Sequence, residues 1–233
     1  MPTKRTNVIL FGIDSLRADR LGAYGAERPT SPFLDQLAAR GMTFTDCTAE
    51  SSWTLPTHAT LLTGYPQPVH GVRSVTEHLS GQIPSLALLL REAGYATAAV
   101  VTTPLLDPAF GFEQGFDSYE NILPLKRRNG KIQVDLSVEA QMEYHRGQPA
   151  TQTIEAALDW LNSNDERFFL FVHLWDVHYD YDPPPPNDKR FDPDYPGTTD
   201  FCGFLTNRAI GPGMSERDLF HLRALYDGEI RHT

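Results

Sequence analysis

Side chains able to do chemistry fall into three clusters. The first is Asp14, which directly follows the apolar run Asn7-Val8-Ile9-Leu10-Phe11-Gly12-Ile13. Open α/β sheets bind ligands beyond the carboxyl ends of their strands. A carboxylate there can hold magnesium, calcium or manganese, or alternatively zinc. Asp is also a common turn residue after a strand, so Asp14 alone leaves both readings open. The second is Thr54, just before Leu55-Pro56 at a helix start. Amides and dipole at that position favour an anion such as phosphate or sulfate. A coordinated cation can turn the hydroxyl into a nucleophile, while a plain N-cap explains the same threonine. The third is His173, Asp176 and His178, at the end of another apolar run. Asp176 and His178 share a face if the segment stays extended. His178 can then hydrogen-bond an ester oxygen or protonate a leaving group. His58 and His70 can add donors. For His173 and His70 a purely structural role fits at least as well.

These groups need elements to position them. Residues 7–13, 96–102 and 168–174 read as buried strands, being short apolar runs without polar alternation. Helices are predicted over residues 31–41, from near Pro56 to Gly64, over 83–93 and over 151–161. Residues 42–47 read as a short strand. The capping pattern Ser215-x-x-Asp218 precedes Leu219, Leu222, Leu225 and Ile230 at helical spacing. Strands separated by helices imply a mixed, mostly parallel sheet with helices on both faces, a three-layer α/β/α sandwich. Residues 121–146 are polar and weakly periodic and read as an exposed insertion. Residues 182–213 read as an irregular loop stiffened by Pro183 to Pro186.

A chain of 233 residues with 40% hydrophobic and 21% charged residues is an ordinary globular composition. The net charge of -10, without a basic run, argues against nucleic acid and anionic membranes as partners. An anionic substrate therefore needs local positive charge from a metal or histidines. No apolar run approaches the roughly 18 residues that span a bilayer, and no leader is visible. Cys47 and Cys202 show no metal-ligand spacing and are expected as free, mostly buried thiols in a reducing cytoplasm.

Read together, the clusters resemble the sulfatase family of the alkaline phosphatase superfamily. Residues 7–25, from Asn-Val-Ile-Leu-Phe-Gly-Ile-Asp-Ser-Leu-Arg to Tyr24-Gly25, look like that family's opening metal-ligand strand. Thr30-Ser31-Pro32-Phe33-Leu34-Asp35 resembles the helix that follows, and Trp53 through Gly64 resembles the signature around the nucleophile, with Thr54 at its position. His70-Gly71-Val72, Gly94-Tyr95-Ala96-Thr97, Gly115-Phe116-Asp117 and the segment from His173 to Pro184 also match. The resemblance implies one divalent metal ion (Ca, Mg, Mn or Zn) held by Asp14, Ser15 and Thr54 with later ligands. It implies a small anionic ester as substrate, touched by His178, His58, His70 and Asp176.

The departures are specific. Sulfatases oxidise Cys or Ser to formylglycine at the nucleophile position, which Thr54 cannot undergo. A threonine there is the pattern of phosphodiesterases and phosphotransferases of the superfamily. His58 replaces the signature's arginine, Ser15 replaces a second aspartate, and Val101-Thr102-Thr103-Pro104 stands where Gly-Lys-Trp-His is usual. The later Asp-His-Gly or Asp-Asn-Gly segment is absent. The chain is therefore expected to be the N-terminal part of a single sulfatase-like domain. It is expected to act as an ester hydrolase when complete, with a phosphotransferase or a non-catalytic anion-binding remnant as alternatives.

Overall fold

The computed structural model describes residues 6–128, 131–132, 149–199, 201–204 and 206–233, which divide into two compact units. Most of the expected insertion over 121–146 lies outside the described residues.

The first unit comprises Met1–Gly12, Thr48–Asp135 and Gln148–Trp175. Its centre is a four-stranded sheet, ordered β1-β6-β2-β3, of β1 (Val8–Ile13), β2 (Ala96–Val101), β3 (Ser118–Asn121) and β6 (Phe168–Leu174). A separate antiparallel ladder joins β4 (Arg127–Arg128) to β5 (Lys131–Ile132). β2 runs parallel to both β3 and β6, with Ala98 opposite Ser118 and Leu170. Every residue of β6 is buried, as a central strand covered on both faces requires. On one face Phe169, Phe171, Ala99 and Val101 pack with Leu55, Ala59 and Leu62 of helix α2 (Thr54–Thr63) and Ala87 of α4 (Leu86–Glu92). The short helix α3 (Gln67–His70) lies between them in sequence. On the other face α5 (Pro149–Asn162) sets the edge of Trp160 against Phe168, ring centroids 5.7 Å apart, and Thr153 against Thr102. The layering is the expected α/β/α arrangement.

The sequence reading needs correction at four places. β1 was expected to be buried, yet Ile9 is 46% and Phe11 53% exposed. It is an edge strand, and its outward-facing residues lack a covering layer in the described chain. Residues 42–47 form no strand, because no described segment offers them a ladder; Met42 is 79% exposed. α4 starts only at Leu86, after Pro84, where the Ser85 hydroxyl accepts the Leu88 amide. Cys47 and Cys202, expected to be mostly buried, are exposed.

The second unit comprises Ile13–Cys47, Leu136–Gly147 and Asp176–Thr233. It holds α1 (Pro32–Ala38) and α6 (Glu216–His232), and its remaining described residues are turns, short 3-10 segments and the proline-rich loop. Ser215 caps α6 as its sequence pattern implies. Tyr226 and Ile230 of α6 pack with Val177, Ile13, Leu16, Leu21 and Tyr181. Gly228 is where α6 meets the proline-rich loop. A Cβ there would lie 2.6 Å from the carbonyl oxygen of Asn187 and 2.8 Å from Cγ of Pro183, so only glycine allows this approach.

Candidate active site

Thr54 is the first residue of α2, not merely near its start, and is 8% exposed. Pro56 in the first turn costs nothing, since its missing N–H would have no acceptor inside the helix. One turn on, Nδ1 of His58 lies 2.8 Å from the carbonyl oxygen of Thr54. The carbonyl can only accept, so Nδ1 carries a proton and donates, leaving Nε2 as the acceptor of the neutral ring. His58 meets His173 edge to face, centroids 4.9 Å apart. Gly12 lies against both: a Cβ on it would sit at ordinary contact distance from His58 Nε2, 3.5 Å, and His173 Cδ2, 3.6 Å. His173 is fully buried, in keeping with the structural alternative.

His70 is occupied internally. Its Nδ1 accepts the Val72 amide at 3.1 Å, so Nε2 carries the proton and donates to Thr60 Oγ1 at 3.1 Å. Burial pushes its pKa below the ordinary histidine value, which keeps the ring neutral. Both ring nitrogens are thus engaged in bracing α2 and α3, leaving none for the expected substrate contact.

The second unit carries the other expected residues. Asp14 is half-buried, and Ser15 Oγ donates to its Oδ1 at 2.9 Å. Ser15 has φ 55, a left-handed conformation uncommon outside glycine and Asn or Asp. Such strain tends to mark functional turns. Tyr226 fixes this turn: its hydroxyl donates to the Ser15 carbonyl at 2.8 Å and accepts the Arg17 amide at 2.9 Å. Asp176 and His178 are half-buried, and Nδ1 of His178 lies 3.3 Å from the Tyr179 carbonyl oxygen, with the two rings in contact. Glu229, not singled out from sequence, accepts the Asp182 amide at 2.7 Å and is buried. Desolvation, with Asp176 and Asp182 nearby, pushes its carboxyl up to about 8. The run Tyr226-Asp227-Gly228-Glu229 was the available signal, since polar residues filling consecutive helix positions cannot all face solvent.

Among the described residues no three His, Cys, Asp or Glu side chains gather to hold a metal. Asp14 and its hydroxyl neighbour are oxygen donors of the type hard cations prefer, but fall short of a full coordination shell.

A family model for sulfatases matches residues 6–233. The chain belongs to the sulfatase family. This sulfatase-family chain is 24% identical to N-acetylglucosamine-6-O-sulfatase of Bacteroides thetaiotaomicron over 185 residues, which cover 78% of the chain and 32% of that protein. It is 35% identical over 103 residues to the same organism's N-acetylgalactosamine-6-O-sulfatase, covering 42% and 20%. The chain thus spans a third or less of the length of these relatives. Among solved structures, the phosphonate monoester hydrolase of Agrobacterium radiobacter superposes with a TM-score of 0.67 at 22% identity, covering 98% of this chain and 57% of that one. A 2-O glycosaminoglycan sulfatase gives 0.67 at 19% identity, covering 98% and 52%. At such identities the structures speak to fold alone.

Proposed function

We propose that this chain is the nucleophile-bearing part of a metal-dependent hydrolase of sulfate or phosphate esters, with Thr54 as nucleophile. The observation that carries the reading is Thr54 opening α2, where first-turn amides have no acceptor inside the helix and suit the oxygens of an anion. Family membership over residues 6–233 supports it, as do relatives named as sugar 6-O-sulfatases. Asp14 is the proposed metal ligand, with Ser15 and Thr54 as further oxygen donors. A divalent cation (calcium, magnesium, manganese or zinc), when bound, would lower the pKa of the Thr54 hydroxyl and offset developing negative charge.

The chain's own residues supply the rest. Thr54 Oγ, its proton released to solvent, attacks the sulfur or phosphorus, the bond to the ester oxygen breaks, and His178 protonates the departing alkoxide. Water then attacks the same sulfur or phosphorus, the bond to Thr54 Oγ breaks, Thr54 regains a proton, and sulfate or phosphate is released. His58, its Nδ1 held by the Thr54 carbonyl, is assigned to contact substrate oxygens through Nε2, donating to them when protonated. Asp176 is assigned to contact the substrate together with His178. Thr54→Ala should abolish turnover of an aryl sulfate and of an aryl phosphate diester; normal turnover by that variant refutes the assignment.

Because Thr54 cannot form the aldehyde of true sulfatases, transfer of the group to an alcohol is the second reading. Product analysis with an added alcohol acceptor separates transfer from hydrolysis. A non-catalytic anion binder is the third, favoured by the incomplete donor set among the described residues. Tight stoichiometric metal binding in a titration counts against it.

A further inference from the structure

The second unit contains a cleft of about 330 Å³ whose walls include Arg20, Arg28, Arg223, Asp227, Glu27 and Phe220. None of these residues belongs to the catalytic assignment above. Three arginines, Arg20, Arg28 and Arg223, share these walls with three carboxylates, Asp19, Glu27 and Asp227. Among the described residues only Asp227 forms an ion pair with a cleft arginine. Asp19, also on the wall, is held by Arg17, with hydrogen bonds of 2.8 and 2.7 Å. Asp227 is fully buried and takes Arg28 at 2.6 Å, but Arg20 only at 3.5 Å. One carboxylate thus faces two guanidiniums, its other oxygen, Oδ1, having no hydrogen-bond partner among the described residues. Arg20 Nε is likewise buried without an acceptor among the described residues. Arg223 is exposed and makes no ion pair or hydrogen bond among the described residues. Phe220 is 47% exposed and carries the Arg28 guanidinium 4.7 Å from its ring centroid, which fixes the direction of that cation.

A buried pair of this kind is expensive to build, and hydrophobic replacements are often as stable. A stability role therefore explains Asp227 poorly and Arg223 not at all. We propose that this cleft binds an oxyanion, a sulfate, phosphate or carboxylate group of a ligand, between Arg223 and the Arg20–Arg28 pair. The geometry suits it: Asp227 and Phe220 hold Arg20 and Arg28 in place before the ligand arrives, so little side-chain freedom is lost on binding. Arg223 then closes on the anion from α6. Guanidiniums are the usual partners for such groups because their planar fork matches two oxygens.

The test is a titration of the protein with sodium sulfate, inorganic phosphate and acetate. Chloride holds the ionic strength constant, and the arginine side-chain Nε–H signals are read by NMR. Saturable shifts of the Arg20, Arg28 and Arg223 signals are expected with at least one of the three anions. Which anions act separates a sulfate or phosphate ligand from a carboxylate. Arg223→Ala should weaken binding about five- to tenfold, the loss of one charge-assisted hydrogen bond. Arg223 has no ion-pair or hydrogen-bond partner among the described residues, so this variant should fold normally. Thr54→Ala should bind as the parent does, which separates this site from the catalytic reading. Shifts that chloride reproduces, shifts that never saturate, or unchanged binding in Arg223→Ala would each overturn the proposal.

Discussion

The Tyr226 hydroxyl donates to the carbonyl of Ser15 and accepts the amide of Arg17, so one phenol spans the turn that follows β1. Burial raises its pKa to about 12, and it remains a neutral donor throughout the physiological range. Replacing it with Phe removes both hydrogen bonds and little volume. Tyr226→Phe should lower stability by about 1–3 kcal/mol and speed hydrogen exchange at the Arg17 amide. An unchanged exchange rate there would show that the turn holds without the phenol.

Glu229 gives a pH dependence with a definite sign. Its carboxyl titrates near 8 when folded against an ordinary value of 4.5, so the folded state holds its proton more tightly. The stabilisation is fully present below 4.5 and is lost as pH rises through about 8. The limiting slope is about 1.4 kcal/mol per pH unit. Glu229→Gln keeps an acceptor for the Asp182 amide and carries no charge. Its urea midpoint should exceed that of the parent at pH 8 and approach it at pH 5. Parallel pH profiles for the two proteins would rule this out.

Two glycines with similar backbones should respond differently to alanine. Gly115 has φ +91 and a Cβ there would sit 2.2 Å from the Leu88 amide nitrogen, whereas Gly64 has φ +72 and open space. Gly64→Ala should cost only the left-handed backbone penalty, about 1–2 kcal/mol. Gly115→Ala adds a backbone collision and should cost at least about 3 kcal/mol, read as a failure to accumulate or a large fall in Tm. Equal melting temperatures for the two variants would contradict this.

Asp192 is gripped by both terminal nitrogens of Arg217, at 2.6 and 2.7 Å, and by His221 Nδ1 at 2.8 Å. Hydrogen bonding from Arg217, then from His221, holds its pKa below the ordinary value of 3.8 against the opposing effect of burial. That contribution is present above 3.8 and is lost as pH falls through the depressed value. Arg217→Lys cannot reproduce the fork. Its denaturation midpoint should fall below the parent's at pH 7, the gap narrowing as the solution is acidified past the carboxylate range. A gap that persists in strong acid would place the effect elsewhere.

The central sheet was legible because β6 and β2 are covered on both faces, and full burial writes an uninterrupted apolar run into the sequence. β1 carries the same kind of run yet lies at the edge, since composition reports what a strand can tolerate and not which neighbours it has. β3, with the sequence Ser-Tyr-Glu-Asn, gave no apolar run and was missed; it is held by its ladder with β2. At the site, Thr54 was placed at a helix start by Pro56 and Gly64. The engagement of His70 was not readable, because it depends on which partners α3 brings to each ring nitrogen. Tyr226 and Glu229 act on segments about 210 and 47 residues away along the chain, a separation that no local pattern encodes.

Four successive residues of α6 each hold a different part of the second unit. Tyr226 holds the Ser15 turn, Asp227 the two arginines, Gly228 the close approach of Asn187, and Glu229 the Asp182 amide. Successive helical residues point about 100° apart, so together they sweep the full circumference. A change of reading register in this helix therefore has nowhere to hide. Deleting one residue between Leu222 and Tyr226 would rotate every one of these attachments at once, whereas a surface helix could absorb the same lesion by turning a polar face.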